Sequence, residues 1–212
     1  MLDLQKYVPN GRVSTGLITC HQGMLVWAVG QEKYWRHQDS TTIIPLIGIG
    51  GGQESGESLQ ETITRECLEE ANAEIELCSS DKTLWISADT HQVHMLAQNY
   101  PDEPMPVLIW ESRVTLRTAS GLPYEIDYIN AVYSGALRGI PSPGSEIPGL
   151  LSLPVELFLR LHRKALALEV LLSSGAAYTG RALDTKVRFA LQGSALYVAQ
   201  HWDHVDKYLC RG

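Results

Sequence analysis

Cysteine is scarce and unpatterned: Cys20, Cys67, Cys78 and Cys210 form no C-x-x-C pair. That excludes the usual zinc-ribbon and disulfide-framework readings, and it predicts free thiols in a reducing cytoplasm. Charge is thin as well, at 19% of residues against about 25% in an average soluble chain. Basic residues are the scarcer sign, 17 against 24 acidic, for a net charge of −7. Such a balance gives no general attraction for nucleic acid or an anionic membrane. Long apolar runs are missing: LLSLPVELFLRL is interrupted by proline, glutamate and arginine, well short of the roughly 20 residues of a membrane span. The opening MLDLQKYVPNGRV lacks the apolar core of a signal peptide, so a cytoplasmic location is expected. Repeats and low-complexity segments are absent. What is present is a 44% hydrophobic content in 212 residues, which excludes a mainly disordered chain and predicts one domain, or one plus an extension. An anionic substrate would need a local device, most simply a bound metal, to enter so acidic a molecule.

Residues 13–30 predict two strands around a turn at His21–Gly23, followed by a short strand at Tyr34–Gln38 and a β-branched strand at Thr41–Ile49. A glycine cluster, Gly48 to Gly56, leads into SLQETITRECLEEAN. There Ser58 and Glu61 have capping-box spacing at the start of a helix. Strands are expected at Ala73–Cys78, Leu84–Leu96, Val107–Leu116 and Tyr124–Leu137, with a polar loop QNYPDEP and a second loop RGIPSPGSEIPG between elements. Residues 154–173 predict one long helix stopped at Gly175. Lys186–Gln192 alternates as a strand does, turning at Gly193 into Ala195–Ala199, but the same letters allow a helix. Trp202, Val205 and Leu209 suit a closing helix. The sum is an α+β sandwich.

Chemistry concentrates in Gly51–Ala73. At about 100° per residue, Leu59, Ile63, Cys67 and Ala71 share one helix face, and Glu66, Glu69 and Glu70 border it instead of lying opposite. Carboxylates at the edge of a buried face repel one another more strongly than solvated ones. A divalent cation relieves that repulsion, and oxygen-only ligands favour Mg²⁺ or Mn²⁺ over Zn²⁺. Taken alone, two or three glutamates at helical spacing are more often plain surface. Gly51-x4-Gly56 is followed by Glu57-Ser58 where a phosphate-binding loop needs lysine, so that reading fails. Gly48-Ile49-Gly50 lacks the later glycine of a dinucleotide fingerprint.

The segment resembles the Nudix box, G-x5-E-x7-R-E-U-x-E-E-x-G-U with U aliphatic. Gly51, Glu57, Arg65, Glu66, Glu69 and Glu70 fall in register, Cys67 takes an aliphatic place, Asn72 stands for the last glycine and Ala73 closes the pattern. Asparagine is the next-best residue for a left-handed helix stop. Buried cysteine behaves as a small hydrophobe. The resemblance implies a Nudix-like α/β/α sandwich with a mixed sheet over residues 10–165 and a C-terminal extension over 166–212. It implies Mg²⁺-dependent hydrolysis of a phosphoanhydride in a nucleoside diphosphate linked to another group. By the same resemblance Glu66, Glu69, Glu70 and the Gly51 carbonyl are metal ligands, Arg65 holds Glu66 and Glu57, and Glu57 supports. The general base is either a box glutamate such as Glu66 or an acid from a later loop, for which Glu146 is the candidate. A turn acid is an equally good account of Glu146.

Other signals weigh less. The pairs His91/His94 and His201/His204 lack a third ligand and read as structural. Tyr34-Trp35-Arg36 could stack a base, or form a half-buried edge strand. Residues beyond about 175 are too apolar to be left in water, so they fold back on the domain or form a homodimer interface, walling part of the cleft. The rival functions are a nucleotide-sensing module that does not hydrolyse, and an isomerase-like relative using the same metal site. No substrate subtype is marked around Ala88–His91.

Overall fold

The computed structural model describes residues 2–97, 103–118 and 120–209. The first hairpin forms as expected: β1 (Arg12–His21) and β2 (Met24–Val29) join through a turn in which Gln22 and Gly23 both have positive φ. A 3-10 turn at Glu32–Tyr34 precedes β3 (Arg36–Gln38), which pairs with β4 (Thr41–Ile47). α1 (Leu59–Ala71) starts at a complete Ser58–Glu61 capping box and stops at Asn72, whose φ of 47° and ψ of 37° are left-handed. β5 (Glu74–Cys78), β8 (Leu108–Arg117) and β9 (Pro123–Arg138) lie close to their predicted places.

Three expectations need correction, and one alternative left open is resolved. The stretch 84–96 is a hairpin, β6 (Thr83–Ser87) and β7 (Gln92–Leu96), turning where His91 takes a φ of 56°. The long helix is broken: α2 (Val155–Arg163) ends at an extended Lys164, β11 (Leu166–Ala167) intervenes, and α3 (Leu168–Ser173) follows. β11 pairs with β13 (Arg188–Leu191), so tertiary pairing overrides a leucine stripe that would serve a helix equally well. The tail is half of each reading: β13 is a strand, and beyond Gly193 (φ 56°) comes α4 (Ser194–Gln200), then α5 (Trp202–Val205). Cys78 is disulfide-bonded rather than a free thiol. Two further strands, β10 (Gly149–Leu153) and β12 (Ala177–Gly180), sit where no strand was expected. Most of the QNYPDEP loop, and Cys210, lie outside the described residues.

The sheet is mixed, running β11-β13-β4-β2-β1-β9-β8-β6-β7 with β10 and β12 attached through β2. β1 and β9 are parallel over nine residue pairs, Arg12↔Tyr128 to Cys20↔Ala136. The alternation of β1 sends Leu17 to one face and Ile18 to the other. One face packs under α1, with Leu17, Ile63, Cys67 and Tyr133 at zero exposure. The other is covered by α2, α4 and α5 around Trp27, Phe158 and Phe189. Trp27 and Phe158 stack at 4.7 Å and 10°. Helices on both faces of a mixed sheet make this an α+β sandwich. Residues 166–209 belong to the same sheet and core: β13 runs parallel to β4, β12 pairs with β10, and Phe189 and Val198 are fully buried. Among the described residues no helix is long and apolar enough to cross a membrane.

Candidate functional site

Two neighbouring pieces of backbone create the site. The segment 49–53 runs back along β1 in irregular pairing, Leu17 N–H to Ile49 O at 2.8 Å, Thr15 N–H to Gly51 O at 2.9 Å and Gln53 N–H to Val13 O at 3.0 Å. Gly50 takes a φ of 146°, and a Cβ there would collide with the Thr15 carbonyl. Gly51 is required for a different reason: a Cβ would occupy the space of the Glu66 carboxylate. The glycines therefore let backbone and carboxylate share one small volume.

α1 delivers the acids. Glu66 and Glu70 are 7% and 6% exposed, confirming that they border the apolar face. Glu70 Oε2 accepts the Gly50 N–H at 2.9 Å. Burial pushes its pKa up to about 8 against that bond, and Glu66, Glu146 and Glu69 add repulsion. Glu66 is raised as well, chiefly by burial, with the Arg65 hydrogen bond opposing. Cys67, between them in sequence, is driven up to about 12 by desolvation and by the two acids, so it is an inert thiol.

Arg65 is the centre of a fan. It donates to Glu57 (Nε to Oε1, 2.8 Å; Nη2 to Oε2, 3.2 Å), to Glu66 Oε1 at 2.9 Å, to Glu69 Oε2 at 2.8 Å and to the Gly52 carbonyl at 3.1 Å. Only a planar guanidinium fork reaches so many acceptors at once. Glu57 also accepts from Thr62 Oγ1 and the Glu54 N–H, both at 3.0 Å. Led by the Arg65 bond, these lower its pKa to about 2. Glu57 is a fixed anion that holds Arg65, and Arg65 holds Glu66.

The later loop is tied to the end of α1. Gly144 N–H bonds the Glu70 carbonyl and Ser142 N–H the Ala71 carbonyl, both at 2.9 Å. The Asn72 amide reaches Ser142 O, Ser142 Oγ and Pro143 O at 3.2, 3.3 and 3.2 Å. The residue that departs from the box pattern thus does what a glycine cannot. This anchoring brings exposed Glu146 close enough to raise both Glu66 and Glu70.

Of the expected site residues, Glu57, Arg65, Glu66 and Glu69 form one bonded group, Glu70 lies beside it against Gly50, and Glu146 faces it from the loop. The Gly51 carbonyl already accepts the Thr15 N–H, leaving its second lone pair. The donor set, hard oxygens with two desolvated carboxylates and a glycine cradle, fits a divalent cation of the Mg²⁺ or Mn²⁺ kind. Among the described residues no three His, Cys, Asp or Glu side chains stand already gathered as a metal-binding group; Glu66 and Glu69 both accept from Arg65 Nη1. The histidines stay structural: His204 Nε2 lies 3.1 Å from the Val107 carbonyl, and His94 sits on exposed β7. Trp35 Nε1 is spent on the Gly30 carbonyl at 2.7 Å.

Beside Gly50 and Gly51 opens a cavity of ≈ 390 Å³, walled by Trp110, Tyr128, Val114 and Leu116, with Tyr34 at its rim. Sequence reading overlooked Tyr128, Asn130 and Ser194 here. The available signal was Asn130, a lone amide in the apolar run YINAVYSG.

Solved structures similar to this chain include a NUDIX hydrolase from Nitrosomonas europaea, at 12% identity over 94% of this chain and 93% of that one, with a TM-score of 0.47. A NUDIX-family hydrolase from Clostridium perfringens is 13% identical over 93% and 98%, with a TM-score of 0.49. An ADP-ribose pyrophosphatase from Streptococcus suis is 12% identical over 66% and 72%, with a TM-score of 0.33. No family model and no curated protein matches the chain.

Proposed function

We propose that the chain is a Nudix-type pyrophosphohydrolase, dependent on Mg²⁺ or Mn²⁺, that cleaves a phosphoanhydride in a nucleoside diphosphate linked to another group. The observation that carries this reading is the pair of buried carboxylates at the Gly50–Gly51 backbone, Glu66 held by the Arg65 fan and Glu70 by the Gly50 N–H. Burying two acids side by side is costly unless a cation or a proton compensates. Glu66, Glu69 and Glu70 would hold the metal, with the Gly51 carbonyl as a further oxygen. When bound, the metal supplies positive charge to the diphosphate and makes water more acidic.

The chain's own residues do the rest. Water oxygen adds to one phosphorus, the anhydride P–O bond breaks, and two phosphate monoesters leave. The water proton passes to a carboxylate, for which Glu66 and Glu146 are the candidates. Arg65 and Glu57 keep the Glu66 carboxylate from swinging into the space of the diphosphate. A second reading, a module that binds nucleotide without hydrolysing it, draws on Arg65, whose guanidinium already neutralises Glu66 and Glu69. The two part in one experiment. Nucleotide sugars, dinucleoside polyphosphates and nucleoside triphosphates are incubated with enzyme and Mg²⁺, and phosphate products are followed by ³¹P NMR. Hydrolysis of at least one, stopped by EDTA, is expected; binding without product across the panel would favour the sensor.

A further inference from the structure

A second hollow, of ≈ 480 Å³, opens where the end of α2 meets α4 and α5, and its lining is basic in a chain of net charge −7. His162 and Arg163 enter it from α2. His201, between α4 and α5, and His204 of α5 enter from the other side. Asp203 is the single acid of its described lining. Leu84, Leu159 and the Trp202 ring give it apolar walls, and Trp202 is set edge-on to Phe158 with ring centres 5.7 Å apart. Charges beside apolar walls act on a ligand more strongly than solvated ones do.

A basic last turn is ordinary in a helix, because it complements the C-terminal end of the dipole. That accounts for Arg160, His162 and Arg163 of α2, but not for imidazoles brought against them by another part of the chain. Among the described residues no side-chain hydrogen bond or ion pair engages His162, Arg163 or His201. His204 differs: its Nε2 lies 3.1 Å from the Val107 carbonyl, which can only accept. Nε2 therefore carries hydrogen, and Nδ1 is the nitrogen that takes up a proton. The neighbouring charges are Arg160 and Lys164 at the end of α2, and Asp81, which accepts the Tyr208 hydroxyl at 2.5 Å beside the His204 ring. Burial lowers the pKa of His201, and repulsion from His204 lowers it further. An anion in the hollow offsets both effects and draws protons onto the pair. With the imidazoles neutral, Arg163 and Asp203 cancel; each proton taken up adds a positive charge. A tetrahedral oxyanion offers acceptor oxygens in several directions, which suits donors from separate elements better than a flat carboxylate does.

We propose that this hollow is a binding site for a phosphate monoester, its oxyanion held by Arg163, His162 and the protonated His201 and His204, and its organic part lying against Leu159 and Trp202. The site is separate from the acid cluster, which belongs to α1 on the opposite face of the sheet. Phosphate monoesters are what the proposed hydrolysis releases, but this site rests on the hollow alone. Binding needs neither the metal nor turnover.

The test uses the metal-free full chain and follows the histidine ring signals by ¹H–¹⁵N NMR. Sulfate is the first probe, because its charge does not change across the pH range. At pH 6 the His162, His201 and His204 signals should shift saturably with sulfate, while those of His21, His37, His91 and His94, outside the hollow, should stay in place. Sulfate affinity should fall about tenfold or more between pH 6 and pH 8, as the imidazoles lose their protons. Arg163→Gln should weaken sulfate about tenfold, the worth of a charged hydrogen bond. Asp203→Asn should tighten it about threefold by removing a like charge. Both side chains are exposed, so both variants should fold as the wild type does. Phenyl phosphate should bind about threefold or more tightly than orthophosphate, because only the ester covers the apolar wall; the reverse order would overturn the ester and leave an inorganic ion as the occupant. Equal shifts in all seven histidines, shifts matched by chloride at the same ionic strength, or an affinity unchanged by pH would overturn the site.

Discussion

Glu70→Gln should make the metal-free protein more stable, not less, and increasingly so as pH rises. The wild-type carboxyl has a folded pKa of about 8 because burial outweighs the Gly50 N–H bond; the unfolded chain releases the same proton near 4.5. A raised folded pKa means that the folded state holds a proton the unfolded state has lost. Its stabilisation is therefore complete below pH 4.5 and is lost as pH climbs to about 8, at up to roughly 1.4 kcal/mol per unit. By pH 7 the wild type should have lost about 3 kcal/mol relative to a neutral residue at this position. Glutamine is neutral at every pH and its carbonyl can still accept the Gly50 N–H. Urea unfolding of both proteins in EDTA at pH 5, 6, 7 and 8 reads the difference directly. The gap should open with pH in favour of the variant, and saturating Mg²⁺ should stabilise wild type far more than Glu70→Gln. A gap that is flat with pH, or a glutamine variant less stable at pH 8, would refute the claim that this carboxylate is held desolvated for a cation.

Other perturbations separate the parts of the site. Arg65→Lys keeps the charge but loses the fork to Glu57, Glu66 and Glu69; turnover should fall about tenfold to a hundredfold, and wild-type turnover would remove Arg65 from the account. Asn72→Gly keeps the left-handed stop but loses the amide contacts to Ser142 and Pro143, costing about 1–2 kcal/mol. Asn72→Ala should cost about 1 kcal/mol more, from the strained φ; the reverse order in thermal melts would contradict that explanation. Truncation after Gly175 strips Phe189, Ala195, Val198 and Val205 from the core. At about 1.5–3 kcal/mol for each of the larger side chains, that loss approaches the whole stability of a typical domain, about 5–15 kcal/mol. A truncate with a sharp, cooperative thermal transition would show that the tail is dispensable.

The site was more legible in the sequence than its surroundings. Helical angles alone placed Glu66 and Glu70 against the buried face, and capping chemistry fixed both ends of α1, because such rules are local. Glu69 shows where angles stop: its side chain is 40% exposed and turned to Arg65. The helix break at Lys164 and strands β10 and β12 were illegible for a tertiary reason. Leu166 pairs with Phe189, Leu151 with Trp27 and Tyr178 with Leu151, and no local period encodes those partners. The polar lining of the cavity escaped for the same reason, since Ser194 and Asn130, hydrogen-bonded to each other, lie 64 residues apart.

The central claim is that Glu66, Glu69 and Glu70 hold a divalent cation. Calorimetric titration of Mn²⁺ into the wild type and into Glu69→Gln and Glu70→Gln at pH 7.5 tests it most directly. One saturable site or more in the wild type is expected, with proton release as Glu70 ionises and affinity reduced about tenfold or more in each variant. Equal affinities in all three proteins would contradict the account.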